Sequence, residues 1–269
     1  MASASATTSS ETLAGRFGAL RATGRRALVC YITAGHPDPD RSLALLRGLE
    51  DAGADVVELG VPFSDPMADG PVIQASSQQA LEHGVTFDRV LALAERARLS
   101  IPVVLFSYLN PLMAAGRDAL TRAASAGCRG VLVTDLPLGA DPELEAWLGN
   151  GPLDFIRLVA PTTPKARMAE IAKTGSGFVY LISRMGVTGE RAEIDPALPG
   201  TIATLRSVTD LPVCVGFGIS TPQQAAEIGG LADGVVVGSA LVRAAGEDVS
   251  KALALVKAMR RALDEGASP

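Results

Sequence analysis

The chain alternates between apolar segments of strand length and amphipathic segments of helix length. Eight apolar runs rich in β-branched residues recur roughly every 25–45 residues, over 27–35, 56–62, 102–108, 130–137, 154–161, 178–183, 212–220 and 234–241. Helical spacing of apolar side chains lies between them, for example over 41–53, 87–99 and 251–263. This alternation predicts parallel βα units, and nearly continuous apolar strands are typical of a sheet covered on both faces.

The position of the glycine-rich turns distinguishes an open sheet from a closed barrel. A doubly wound open sheet usually carries its phosphate-binding glycine loop after the first strand. Here Gly216-Phe217-Gly218 follows the seventh run and Gly238-Ser239 follows the eighth, which are the phosphate-loop positions of a (β/α)8 barrel. We therefore predict one (β/α)8 TIM barrel over residues 9–265, with residues 1–8 as a disordered tail.

An extra helix is predicted before the first strand. Leu13, Phe17 and Leu20 share one helical face. Thr8, with Glu11 three residues later, could form a capping box. We expect this helix to close the floor of the barrel.

Composition restricts the class of protein. The chain has 269 residues, of which 48% are hydrophobic and 20% charged, and a single barrel needs about 250. A net charge of -5 argues against nucleic-acid partners, since phosphate backbones need a basic surface. The sequence shows neither a secretory signal nor an apolar run near the ~20 residues of a membrane span. We expect a cytoplasmic protein in which Cys30, Cys128 and Cys214 are buried, reduced thiols.

The second strand contains a carboxylate that should face the barrel interior. Val57, Leu59 and Val61 alternate with Val56 and Glu58, and the apolar set should face the helices. A partly desolvated Glu58 near the mouth would have a raised pKa and could both give and take protons. The alternative is a structural glutamate paired with an arginine or a hydroxyl.

Two further acids lie in the turn-rich segment 63–74 that follows this strand. Loops at the C-terminal face of such a barrel carry the chemistry, so Asp65 and Asp69 are candidates. Both could equally be turn formers or helix caps. One acid in the wall and another on a loop could act on two ends of a substrate.

A phosphate cradle is predicted where several glycines converge. Gly189, in the long connection 183–200, Gly218, Gly238 and Ser239 could direct backbone N–H groups at one anion. Ser239 would open a short helix whose N-terminus favours negative charge. A lone G-x-G is weak evidence for a phosphate site, but its combination with the loop after strand eight favours phosphate binding.

The distribution of lysine and histidine restricts the types of reaction that the chain could catalyse. Lys165, Lys173, Lys251 and Lys257 all fall outside the predicted strands, which disfavours a Schiff-base aldolase. His36 and His83 form no cluster of zinc-ligand spacing, so we expect no metal site. With a Schiff base and a metal disfavoured, the remaining possibilities are carbon–carbon bond chemistry or isomerisation of a phosphate ester, catalysed by carboxylates.

Residues 57–71, VELGVPFSDPMADGP, closely resemble the signature of the tryptophan synthase alpha family. Weaker similarities follow in family order over nearly the whole barrel: ITAG (32–35), YLNP (108–111), DLP (135–137), APTT (160–163), SRMGVTG (183–189) and GFGIS (216–220). The resemblance implies retro-aldol cleavage of indole-3-glycerol phosphate to indole and glyceraldehyde 3-phosphate, a lyase step of tryptophan biosynthesis.

The resemblance also implies roles for individual residues. Glu58 matches the family's catalytic glutamate, which handles protons at indole C3 and the glycerol hydroxyl. Asp69 matches its catalytic aspartate, which hydrogen-bonds the indole N–H. The other matched positions are substrate-binding: Tyr180, Thr188 on the lid, the phosphate-site residues Gly189, Gly218, Gly238 and Ser239, and Tyr31, Leu105 and Phe217 for the indole wall.

The family further implies an α2β2 heterotetramer with a tryptophan synthase beta subunit. Pyridoxal phosphate is expected only in that partner, and no cofactor in this chain. A stand-alone indole-3-glycerol phosphate lyase and a catalytically silent allosteric barrel remain alternatives. The chain departs from many relatives at Leu138-Gly139-Ala140, where they carry acids, and at His36. Both departures lie on predicted mouth loops and bear on partner docking more than on chemistry.

Overall fold

Eight parallel strands close into a barrel in the computed structural model, which describes residues 11–182, 195–216 and 218–266. Each strand pairs with the next, and the eighth pairs back to the first. The closed barrel is thereby confirmed over the open sheet. The strands are β1 Ala27–Thr33, β2 Val56–Gly60, β3 Val103–Ser107, β4 Cys128–Val133, β5 Asp154–Val159, β6 Val179–Ile182, β7 Val213–Gly216 and β8 Gly234–Val237.

Helices surround this barrel and connect its strands. They are α1 Leu13–Ala22, α2 Pro39–Asp51, α3 Pro71–Glu82, α4 Phe87–Ala97, α5 Leu109–Ala115, α6 Ala119–Ser125, α7 Pro142–Gly149, α8 Lys165–Lys173, α9 Leu198–Arg206, α10 Pro222–Gly229, α11 Ser239–Glu247 and α12 Val249–Gly266. Within the described ranges, no helix is both long and apolar enough to cross a bilayer.

Several strands end earlier than the apolar pattern predicts. The run 234–241 contains β8 only to Val237, and its last residues open α11. Likewise, β7 ends at Gly216 within the run 212–220. Because the barrel mouth and the start of the next helix are also apolar, periodicity alone cannot mark the point where the strand stops.

The predicted helix before β1 closes the floor of the barrel. The Thr12 hydroxyl caps α1 by accepting a hydrogen bond from the Gly15 N–H at 3.1 Å. Leu13, Phe17 and Leu20 are buried, as predicted, and pack in one cluster with the inward side chains of the strands and with Phe178, which directly precedes β6. The helix begins at Leu13 with Thr12 as its cap, and Thr8 lies outside the described residues.

A buried ionic network ties this floor together. Asp55, just before β2, accepts hydrogen bonds from Arg16 of α1 at 2.6 Å and Arg260 of α12 at 2.9 Å. It also accepts one from the Leu28 N–H at 2.8 Å. Three elements that are distant in sequence therefore share one carboxylate.

The three cysteines are free and buried, as predicted. Burial raises the pKa of the Cys128 thiol to about 12 and raises those of Cys30 and Cys214 as well. Buried neutral thiols of this kind are inert structural groups.

Candidate active site

Strand β2 points Glu58 into the barrel, as its alternation predicts. Val57, Leu59 and Val61 belong to the cluster packed between strands and helices, whereas Glu58 lines the cavity at the barrel mouth. Its register partners on the flanking strands are Tyr31 and Val104. The carboxylate is completely buried.

No side chain of the described residues hydrogen-bonds to the Glu58 carboxylate. Both of its oxygens are buried without a partner within the described ranges, so no arginine or hydroxyl of those ranges pairs with it as the structural alternative expected. Desolvation raises the pKa of Glu58 from 4.5 to about 8. An unpartnered buried acid is costly for a fold to retain, and such groups are candidates for catalysis.

Asp69 lies on the loop that joins β2 to α3. Its N–H donates to the Pro66 carbonyl at 3.0 Å, and the Gln74 side-chain amide donates to the Asp69 carbonyl at 2.9 Å. Its side chain is nearly buried and accepts a hydrogen bond from the Tyr108 hydroxyl at 3.0 Å. Desolvation raises the pKa of Asp69 from 3.8 to about 6, against the lowering effect of that hydrogen bond.

Asp65 has a different environment on the same loop. Its side chain is exposed and accepts a hydrogen bond from the neighbouring Ser64 hydroxyl at 2.5 Å. Asp65 is not among the residues that line the cavity. It behaves as the turn residue of the alternative interpretation.

Glu58 and Asp69 face the same cavity, whose empty volume is about 680 Å³ including space open to solvent. The apolar part of its lining is made by Val72, Ile73, Phe106, Ile219 and Val236. The arrangement could enclose a flat apolar group between two carboxylates.

Another part of the cavity lining is suited to an anion. Gly218, Gly238 and Ser239 line it together with Arg243. Gly238 is the N-cap of α11 and Ser239 its first residue, so the backbone N–H groups of its first turn have no partner within the helix. The short helix predicted from Ser239 is confirmed.

Two tyrosines enter the cavity beside the carboxylates. Tyr31 stacks edge-on against Phe106, with ring centroids 5.0 Å apart. A Cβ on Gly60 would overlap the Tyr31 hydroxyl, and one on Gly216 would overlap the Tyr180 hydroxyl. Glycine at these two strand ends therefore makes room for the phenol groups.

The sequence prediction for Leu105 is wrong. Leu105 is fully buried in the cluster between strands and helices, because its neighbours Val104 and Phe106 point inward along β3. Phe106 is the residue that lines the cavity. Thr188, Gly189 and Phe217 lie outside the described residues.

Sequence reasoning missed Phe106, Tyr108 and Arg243. Strict alternation along β3, counted from Val104, would have found Phe106. Helical spacing four residues beyond Ser239 would have found Arg243. Nothing local indicated Tyr108, because its link to Asp69 joins residues 39 positions apart.

The two histidines are not among the residues that line the cavity. His36 is half-buried, its Nε2 lies 3.2 Å from the Val242 carbonyl oxygen, and burial lowers its pKa. His83 caps the end of α3. Across the part of the chain that the structure describes, no group of three or more Cys, His, Asp or Glu residues could hold a metal ion.

Comparison with known proteins identifies relatives over most of the chain. The tryptophan synthase alpha chain of Desulfatibacillum aliphaticivorans is 48% identical over 230 residues, which is 84% of this chain and 87% of the relative. That of Geobacter sulfurreducens is 46% identical over 234 residues, covering 86% and 89%.

Solved structures give the same result. Tryptophan synthase from Mycobacterium tuberculosis superimposes with a TM-score of 0.87 at 37% identity, covering 94% of this chain and 98% of the other. Tryptophan synthase subunit alpha from Legionella pneumophila gives 0.85 at 36% identity, with coverage of 94% and 98%. The family model for the tryptophan synthase alpha chain matches residues 17–267. With two buried carboxylates facing one cavity in a closed eight-stranded barrel, this chain belongs to the tryptophan synthase alpha chain family.

Proposed function

We propose that this chain cleaves indole-3-glycerol phosphate to indole and glyceraldehyde 3-phosphate, the alpha reaction of tryptophan biosynthesis, with Glu58 and Asp69 as its catalytic residues. The observation that carries the proposal is the pair of buried carboxylates on one cavity, with pKa values near 8 and near 6. Environments that separate two carboxyl pKa values assign one group as the acid and the other as the base.

At neutral pH the two groups hold different protonation states. Glu58, with a pKa of about 8, carries its proton. Asp69, with a pKa of about 6, is largely ionised. Glu58 is therefore ready to donate a proton, and Asp69 is ready to accept a hydrogen bond.

The first step makes the indole ring a leaving group. Glu58 donates its proton to indole C3, which becomes tetrahedral, and the ring nitrogen takes up the positive charge. The Asp69 carboxylate accepts the hydrogen bond from the ring N–H and stabilises that charge. Low-dielectric surroundings strengthen this interaction.

The second step breaks the carbon–carbon bond. Glu58, now a carboxylate, removes the proton from the hydroxyl on the carbon attached to C3. That carbon becomes the aldehyde of glyceraldehyde 3-phosphate, and the bonding electron pair restores the indole ring. Glu58 regains the proton that it gave to C3, so the cycle needs neither a metal nor an imine.

The substrate is held at its two ends. We assign the phosphate to the backbone of Gly218, which follows β7, and of Gly238 and Ser239 at the start of α11, where a helix N-terminus favours anions. Gly189 completes the cradle and Thr188 the lid in this proposal. In this proposal the indole ring lies against Tyr31, Phe106 and Tyr180 of the cavity lining, and Phe217, outside the described residues, is a further candidate for this contact.

We also propose that the indole passes to a tryptophan synthase beta subunit, in an α2β2 assembly whose pyridoxal phosphate belongs to the partner. Met67 lies on the mouth loop that carries Asp69, and 87% of its surface is exposed. Met113 of α5 is also exposed. In this proposal Met67, on the loop that carries Asp69, is one of the side chains that the partner covers at the mouth.

The test measures release of glyceraldehyde 3-phosphate with and without the beta subunit. Slow cleavage that the beta subunit strongly stimulates would support the proposal, whereas fast cleavage that ignores the partner would favour a stand-alone lyase. Glu58→Gln should abolish cleavage while substrate still binds. Asp69→Asn should lose most activity, and the matched control Asp65→Asn, on the same loop, should keep it.

Absence of cleavage under both conditions, in a folded protein tested with a cognate partner, would favour the silent barrel. Near wild-type turnover of Glu58→Gln would overturn the assignment of Glu58. Unchanged turnover of Asp69→Asn would reduce Asp69 to a turn residue.

A further inference from the structure

Tyr108 connects the end of β3 to the loop that carries Asp69. It is buried at the N-cap of α5, and its ring packs against Phe63 with centroids 5.2 Å apart. Its carbonyl accepts a hydrogen bond from the Ser107 hydroxyl at 2.7 Å. These contacts fix the backbone and the ring of Tyr108 to the barrel without involving its hydroxyl group.

The two hydrogen bonds of the Tyr108 hydroxyl have defined directions. The Ala68 N–H lies 2.9 Å from this oxygen and can only donate, so the hydroxyl accepts there. A phenol has one proton, and it is left for Asp69 Oδ2 at 3.0 Å. The hydroxyl thus links the loop backbone and the loop carboxylate to one rigid point.

The contacts of Asp69 divide into two groups. The bonds from the Asp69 N–H to Pro66 and from Gln74 to the Asp69 carbonyl hold the backbone of the loop. The Tyr108 bond holds the side chain. With Oδ2 occupied, Oδ1 is the oxygen left to accept a hydrogen bond from a ligand in the cavity.

We propose that Tyr108 is a positioning residue that orients the Asp69 carboxylate toward the substrate and holds its loop against the end of β3. The inference rests on the proposed function of Asp69. Tyr108 does not line the cavity, so it acts through Asp69 and does not touch the reacting atoms.

The Tyr108 hydroxyl should also affect the pH at which Asp69 ionises. The Tyr108 hydrogen bond lowers the pKa of Asp69 against the effect of burial. The other titratable groups that interact with Asp69 across the cavity are Tyr31 and Tyr180, and Glu58 lines the same space. Removal of the phenol hydroxyl should therefore leave Asp69 protonated to a higher pH, while the Glu58 ionisation stays in place.

The experiment compares Tyr108→Phe with the wild type in the full chain, with the beta subunit present. Phenylalanine keeps the ring that packs on Phe63. Hydrogen bonds to charged groups are strong enough that kcat/KM should fall about 10- to 100-fold. The acid limb of the pH profile should move to higher pH, whereas the basic limb should not move.

Ser42→Ala is the matched control. The Ser42 hydroxyl is also buried and also accepts a loop backbone N–H, from Gly35 at 2.9 Å, but no carboxylate in the described ranges is hydrogen-bonded to it. This variant should lose a similar amount of thermal stability with its pH profile unchanged. A second comparison places Tyr108→Phe in the Asp69→Asn background, where the further loss should be small because the two residues act as one unit.

Three results would overturn the inference: wild-type kcat/KM in Tyr108→Phe, a loss of activity that is equal at every pH, or a full additional loss in the Asp69→Asn background. These outcomes are separate from failure of the proposed function. That failure would appear in the wild type, which would not cleave the substrate, or in Asp69→Asn, which would remain fully active.

Discussion

Replacement of Glu58 by glutamine should stabilise the fold, and the gain should grow with pH. Glu58 is fully buried with no hydrogen-bond partner among the described residues. Its pKa of about 8 in the native state, against an ordinary value of 4.5, couples its ionisation to folding. Glutamine is nearly isosteric and cannot ionise.

The direction of this pH dependence follows from the number of protons that Glu58 binds in the folded and in the unfolded chain. Below pH 4.5 the carboxyl group is neutral in both the folded and the unfolded chain. Between 4.5 and about 8 the unfolded chain has released the proton and the native state retains it, so the free energy of unfolding falls as pH rises. Above about pH 8 both states are ionised and the loss is complete.

The magnitude follows from the width of that interval. Each pH unit is worth about 1.4 kcal/mol, so the wild type should lose on the order of 4 kcal/mol relative to Glu58→Gln between pH 5 and pH 9. Glu58 would thus lower stability at the pH where the reaction runs, which is a known cost of catalytic groups.

Urea unfolding of both proteins from pH 5 to pH 9 measures this difference. Other titrating groups affect both proteins and cancel in the comparison. Glu95→Gln, at an exposed position of α4, is the control for the same chemical change at the surface. A difference between Glu58→Gln and the wild type that stays constant with pH would refute the reasoning, since Glu58 would then titrate alike in both states.

Three further variants test other parts of the structure. Asp55→Ala should cost about 3 kcal/mol in urea unfolding, because Arg16 and Arg260 lose their shared carboxylate; a loss below about 1 kcal/mol would show that the network contributes little. Leu13→Ala should cost about 2–5 kcal/mol by opening a cavity in the barrel floor, and a stability equal to wild type would mean that α1 is dispensable. Arg243→Gln should raise KM about 10-fold with little change in kcat, more strongly at low salt, since Arg243 lines the cavity together with Gly218, Gly238 and Ser239; an unchanged KM would exclude a contribution to phosphate binding.

The sequence was sufficient for the architecture and for one catalytic candidate. Strand–helix alternation and the glycines after strands seven and eight indicated the barrel. The two-residue period of β2 placed Glu58 inside, and the helical period of Leu13, Phe17 and Leu20 placed α1 across the floor. These features follow from local periodicity, which can be read from the sequence without any knowledge of long-range contacts.

Only the tertiary structure decided the environment of each acid. Asp65 and Asp69 are close in sequence and equivalent by composition, but Asp69 is drawn into the cavity by Tyr108 while Asp65 stays exposed. The same limit explains why the prediction for Leu105 is wrong. Its apolar side chain fits either face of a strand that is buried on both sides. A pKa is set by desolvation and by partners that closure of the barrel brings together, so no local pattern could have specified it.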